Sequence, residues 1–237
     1  MNSEDRKLCI LAAVRGLFCK KGLSVTSKEL SKAAGVSEAL IYKHFDSKED
    51  LYKALVEKSC RGHEEVGQEL ASLKPSTEVL VCATYLMIHI ITAGTNEGKE
   101  DFSLSPEETR GLLLQSFQTD GEVARTLFEQ GLAPWVQYFV SSMQAAKKSG
   151  DLEQGPMDFD SLVWLAHHAV MGIKMTLHPT PDAFMAKAQT EQKLKNNTLI
   201  FALRGMGLRL ETIKEIMKSN NFKQFIKKID SPTGDRP

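Results

Sequence analysis

The chain has 237 residues, and its 30 Lys/Arg are matched by 30 Asp/Glu, a length that suits one large domain or two small ones and buries an ample core without cross-links. Its four cysteines, Cys9, Cys19, Cys60 and Cys82, lack CxxC spacing and paired His ligands, so a zinc site or disulfide framework is not expected and a reducing cytoplasm fits better. Asn2–Lys7 is polar where a signal peptide would be apolar, and no apolar run is long enough to span a bilayer, so the expected protein is cytoplasmic and makes no membrane contact.

The charge is unevenly spread. Residues 1–61 carry twelve Lys/Arg against eight Asp/Glu, and the remainder has the opposite excess of four. A basic head on a mildly acidic body fits a nucleic-acid reader with a second module, although an imbalance this small also arises by chance.

In chain order, Ile10, Leu11, Val14, Leu17 and Phe18 recur at helical spacing, which predicts a first helix over 5–20 that stops at Gly22. A second helix has a full start signal: Thr26 as cap, Glu29 as its capping-box partner, and Val25 and Leu30 as the hydrophobic staple. Gly35 supplies a tight turn, and Ser37 caps a third, short helix. A fourth runs from near Ser47 to about Ser59. This is the pattern of a helix-turn-helix, which lays its second helix in the major groove of DNA.

The body also reads as helical, and no convincing β-alternation is found. Ser105-Pro106-Glu107-Glu108 is a helix start. Helices are expected over about 134–148, over 159–177 and near 183–204, with loops at 94–104, 150–157 and 178–182. The stretch 208–229 is a basic amphipathic helix or helix pair, followed by a polar tail, 230–237. Lys214, Lys218, Lys223, Lys227 and Lys228 cluster there. This segment either packs on the body through Ile213, Ile216, Met217, Phe222, Phe225 and Ile226, which is the favoured reading, or lies on a membrane or DNA backbone.

ILAAVRGLFCKKG followed by VTSKELSKAAGVSEALIYKHFDSKEDLYKAL resembles the DNA-binding head of the tetracycline-repressor (TetR) family over about residues 8–56. The resemblance implies an all-α fold: a helix-turn-helix bundle over 1–61, then a larger ligand-binding and dimerisation domain over 62–229. It also implies that Thr26, Ser37, Tyr42, His44 and the Lys48 position face DNA. One residue departs from the pattern. Leu40 stands where the family commonly has Thr, so a phosphate contact should be missing or replaced.

The chemistry of the residues agrees. Ser37 sits at a helix N-terminus, which favours a phosphate. Tyr42, Lys43 and His44 offer donors to phosphates or base edges. Glu38 is an acceptor, suited to a cytosine amino group, and equally a residue favoured by the helix dipole. Ala39 permits close approach or meets a thymine methyl. Ser27 and Lys28, next after the Thr26 cap, complete the set. Lys48, a cation in the first turn of its helix, opposes the macrodipole but suits a phosphate clamp. The expected DNA-facing set is therefore Thr26, Ser27, Lys28, Ser37, Glu38, Ala39, Tyr42, Lys43, His44 and Lys48.

A single head covers one half-site, so dimerisation is expected, through 159–177 and 184–203, where apolar residues occupy two helix faces. For the first of these segments a central helix within one subunit is a competing reading. Tyr85, His89, Phe102, Trp135, Tyr138, Phe139, Trp164, His168, Met171 and Met175 are candidates to line an effector pocket, and are equally what a helical core contains. Few acidic residues interrupt these segments, which suggests an apolar effector. No paired carboxylates, phosphate-binding loop or metal-spaced cluster is found, so no cofactor, metal or catalytic group is expected. The sequence therefore points to a ligand-responsive transcriptional regulator, a homodimeric repressor on a palindromic operator. The alternatives are a small-molecule-binding helical protein or enzyme with a non-functional head, and an architectural DNA binder without a ligand.

Overall fold

The computed structural model describes residues 2–59, 68, 70–93, 106–119, 121–176 and 191–230. Among them are twelve α-helices and one 3₁₀ turn. In chain order the helices are α1 (Ser3–Lys21), α2 (Ser27–Ala34), α3 (Glu38–His44), α4 (Lys48–Ser59), α5 (Thr77–Ala93) and α6 (Pro106–Phe117), then α7 (Glu122–Gly131), α8 (Ala133–Ser149), α9 (Phe159–Thr176), α10 (Glu191–Gly205), α11 (Leu210–Lys218) and α12 (Asn220–Asp230). The 3₁₀ turn is Gly22–Ser24. The β-structure among the described residues is one isolated bridge, Leu152 to Leu208. The fold class is all-α, and the expected loops at 94–104 and 178–182 lie largely or wholly outside the described residues.

Contacts divide these helices into two compact units, α1–α4 with α6 and α7, and α5 with α8–α12. In the first unit, Ile10, Leu11, Val14 and Phe18 of α1 meet Leu30 of α2, Ile41 of α3 and Leu51, Tyr52, Leu55 and Val56 of α4. Burying each of these large side chains contributes about 1.5–3 kcal/mol, and the Phe18 and Tyr52 rings stack with centroids 4.9 Å apart.

Two helices from the stretch read as body join this head. Leu112 of α6 is part of the same core. Gly111 makes that approach possible, because a Cβ there would lie 2.6 Å from the Cys19 carbonyl oxygen. Arg15 and Glu108 pair across the same contact at 2.9 Å. Burial, helped by the charge of Glu108, pushes the Cys19 thiol up to about 12, so this cysteine is an inert packing group.

The second unit is built around α5, against which α9, α10, α11 and α12 all pack. Residues 79–89 are buried without a break, as expected of a helix apolar on every side. Phe222 of α12 sets its ring edge-on to Tyr85 of α5 at 5.6 Å. The basic C-terminal segment thus packs on the body through Ile213, Phe222 and Ile229, with Lys214, Lys218, Lys223, Lys227 and Lys228 on its exposed side. Asp151 knots this unit together, accepting from Ser149 at 2.5 Å, Thr77 at 2.6 Å and Thr212 at 3.3 Å. Burial alone would raise its pKa, but these hydrogen bonds outweigh burial and hold the carboxyl below its ordinary range.

Candidate nucleic-acid interface

The helix-turn-helix is built from local signals that close as hydrogen bonds. The Glu29 amide donates to Thr26 Oγ1 at 3.3 Å, and the Thr26 amide donates to the Glu29 carboxylate at 2.9 Å. Lys21 grips the other carboxylate oxygen at 2.5 Å. That bond first, then those from Thr26, lowers the Glu29 carboxyl to about 2. At the end of α2, Gly35 adopts a left-handed conformation at φ 63° and ψ 29°, which costs a glycine nothing. Ser37 then caps α3, its Oγ accepting from the Leu40 amide at 3.2 Å.

Seven residues make α3, and Ile41 is the side chain that it buries fully. Glu38, Ala39, Tyr42 and Lys43 are exposed, while Leu40 and His44 are half-buried. The outer side of α3 is open, and at Leu40 an apolar side chain stands where a phosphate donor would be expected. From α2 and its cap, Thr26 and Lys28 are exposed and Ser27 is half-buried. Ser37 is also exposed, at the end of α3 from which free N–H groups project.

Three tertiary contacts orient this surface. Ser27 Oγ and the Tyr42 hydroxyl lie 2.6 Å apart. In such a pair one hydroxyl donates to the other, and the acceptor keeps a proton to offer outward. Ser3 Oγ reaches His44 Nδ1 at 3.4 Å, tying the end of α3 to the start of α1. Lys48 is half-buried, and its ammonium donates to the carbonyls of Leu23 at 2.5 Å and Val25 at 3.3 Å. Its charge is directed into the head, not held out as a clamp. Beside it, a cleft of 270 Å³ is lined by Gly22, Leu23, Tyr52, Val56, Gln115 and Thr126, among others. The sequence gives no sign of it, because α6 and α7 complete it.

The pocket candidates are placed less uniformly. Tyr85 and His89 of α5 and Phe139 of α8 are buried, and Trp135 and Tyr138 of α8 are half-buried. The Tyr138 hydroxyl donates to the Leu70 carbonyl. On α9, Trp164, Met171 and Met175 are half-buried and His168 is exposed. His168 Nδ1 donates to the Trp164 carbonyl at 2.6 Å, and the two rings lie 5.9 Å apart. Phe102 lies outside the described residues. The structure pairs Trp164 with His168 on one face of α9. Lys195, which sequence reading passed over, is 5% exposed with Nζ 3.3 Å from His89 Nδ1. The signal for it was a lysine within the apolar spacing of Leu194, Thr198 and Leu199. Among the described residues no three His, Cys, Asp or Glu are grouped to hold a metal, and no helix is long and apolar enough to cross a membrane.

Residues 10–55 match the family described as bacterial regulatory proteins, tetR family. Over the larger chain the fold is similar to three solved structures. One is AibR in complex with isovaleryl coenzyme A and operator DNA (TM-score 0.57, 18% identity, 83% of this chain and 97% of that one). Another is a gamma-butyrolactone receptor described as ArpA-like (TM-score 0.57, 21% identity, 97% and 98% covered). The third is CprB from Streptomyces coelicolor in complex with its operator sequence (TM-score 0.57, 22% identity, 94% and 99% covered).

Proposed function

We propose, from the match of residues 10–55 to the family described as bacterial regulatory proteins, tetR family, that this chain is a ligand-responsive, DNA-binding transcriptional regulator of that family and acts as a homodimeric repressor on a palindromic operator. The observation that carries the reading is the open outer side of α3, where Glu38, Ala39, Tyr42 and Lys43 stand exposed over the buried Ile41. In the complex, α3 lies in the major groove. Ser37, Tyr42 and Lys43 hold phosphates, Glu38 and Ala39 meet base edges, and Thr26, Ser27, Lys28 and His44 frame the contact. That similar folds bind operator DNA and small molecules supports both halves of the reading.

Lys43→Ala is expected to weaken binding to a labelled duplex about tenfold and to lower the salt slope by about one per head. Tyr42→Phe removes the phenol hydroxyl of the Ser27–Tyr42 pair and is expected to weaken binding with a smaller change in slope. Fluorescence anisotropy across a salt series measures both, and wild-type affinity in both variants would sink the reading.

Two copies are joined through 159–177 and 184–203, of which α9 and residues 191–203 of α10 are described. The two helices pack together, and each keeps an apolar side chain outside: Leu165 is 55% exposed and Phe201 is 64% exposed. Exposed side chains of that size on adjoining helices suit a partner surface. Phe201→Glu is expected to give a monomer by sedimentation velocity. An undisturbed dimer would place the interface elsewhere.

The effector, a small apolar molecule, binds in the body among Tyr85, His89, Trp135, Tyr138, Phe139, Trp164, His168, Met171 and Met175. It releases DNA by having higher affinity for the arrangement of the two heads that does not fit the operator.

A further inference from the structure

We propose that Lys48 is a positioning residue of the DNA-reading helices, acting from inside the head. The inference rests on the reading of that head as DNA-binding. Lys48 is the first residue of α4, where a cation is opposed by its own helix dipole. The ammonium escapes that position by crossing to the end of the 3₁₀ turn, where it donates to the Leu23 and Val25 carbonyls at 2.5 and 3.3 Å. Carbonyls at a helical C-terminus carry partial negative charge, so they are a natural seat for a lysine.

What the bracket holds follows from the chain. Val25 is 0% exposed and is directly followed by Thr26, the cap of α2. Ser27 comes next, and its hydroxyl meets Tyr42 of α3 at 2.6 Å. Only one residue, Thr26, therefore separates the residue whose carbonyl Lys48 holds from the one whose hydroxyl orients Tyr42. A shift of the turn relative to α4 is passed to α2 and to the phenol without slack. Two of the three ammonium protons are used in this way. Lys48 thus sets the register between α4 and the helix-turn-helix and leaves phosphate contact to Ser37, Tyr42 and Lys43.

Substitution by Met and by Gln separates the roles. A Gln amide has no charge but has two protons for carbonyls, whereas Met has neither. With a labelled random-sequence duplex, Lys48→Met is expected to weaken binding roughly tenfold with the salt slope unchanged, and Lys48→Gln to recover most of the affinity. In the DNA-free protein, hydrogen exchange should quicken at amides 25–30 in the Met variant and stay unchanged in α8–α12. A phosphate clamp would instead make Gln and Met equally weak and lower the slope by about one per head. A merely structural role would lower Tm and leave the affinity of the folded protein intact. Either result, or unaltered exchange at 25–30, overturns the proposal. If the wild-type protein bound no duplex, the DNA-binding reading would fall, and the exchange data alone would decide whether Lys48 holds the turn.

Discussion

Ile41→Ala is expected to lower the unfolding free energy by about 2–5 kcal/mol and to abolish DNA binding under conditions where the rest of the protein stays folded. The helix that carries the reading surface has seven residues, about two turns, and a helix that short does not hold itself together in water. It persists because Ile41, 1% exposed, enters the core shared by Phe18, Leu30 and Leu51. Leu40 and His44 add partial burial, and the other side chains of α3 face outward. Truncating Ile41 leaves a cavity beneath the reading helix, and the four outward residues lose their fixed geometry. Ile41→Val removes one methylene and is expected to cost only about 0.5–1.5 kcal/mol, with duplex binding retained. Urea denaturation gives the stabilities, and anisotropy on a labelled duplex gives the affinities. Wild-type affinity in Ile41→Ala would mean that α3 neither depends on this anchor nor reads DNA.

The interface was legible in the sequence to the extent that its determinants are local. Thr26 and Glu29 are three residues apart, as are Ser37 and the amide it caps, and Gly35 declares the turn by its residue type. Such signals need no knowledge of the rest of the fold, and each closes as a hydrogen bond. What the sequence did not reveal are the contacts made across the chain. Ser27 meets Tyr42, Ser3 meets His44, and Lys48 turns inward to Leu23 and Val25. Spacing along one helix fixes which face a residue occupies but not which other element arrives there. Lys48 was therefore readable as an outward cation from its helix alone.

The same distinction explains the body. The helix starting at Pro106 and the segments over 134–148 and 159–177 announce themselves by caps, stops and prolines, and α6, α8 and α9 follow them closely. Helix α5 was not delimited, because a helix buried on every side has no apolar-polar period to detect. Nor could the sequence say that α6 joins the head. That depends on a glycine, Gly111, with room for no side chain against the Cys19 carbonyl, and a lone glycine within a helical pattern reads locally as a weak point.

Acid is expected to destabilise the body well before its carboxylates protonate, and His167 is the reason. It is 7% exposed on α9, against Trp164 and His168 with ring centroids at 6.3 and 5.5 Å. Burial first, and then the neighbouring His168, lowers its pKa from 6.5 to about 4. The unfolded chain therefore takes up a proton near pH 6.5, while the folded chain holds the ring neutral down to about pH 4. Between those values the unfolded state binds more protons, so stability falls as pH falls, by about 1.4 kcal/mol per unit and about 3 kcal/mol in all. The carboxylates act lower: Asp151 of the body is held below its ordinary value of 3.8, and Glu29 of the head is lowered from 4.5 to about 2. Their contributions are lost mainly below the window in which His167 acts, from 4.5 downward for Glu29 and from 3.8 downward for Asp151. Urea titrations at closely spaced pH values should therefore show a slope between pH 6.5 and 4 that His167→Leu flattens, with the steeper carboxylate loss beneath it retained. Equal slopes in the two proteins across that window would mean that the buried ring gains its proton without opening the fold.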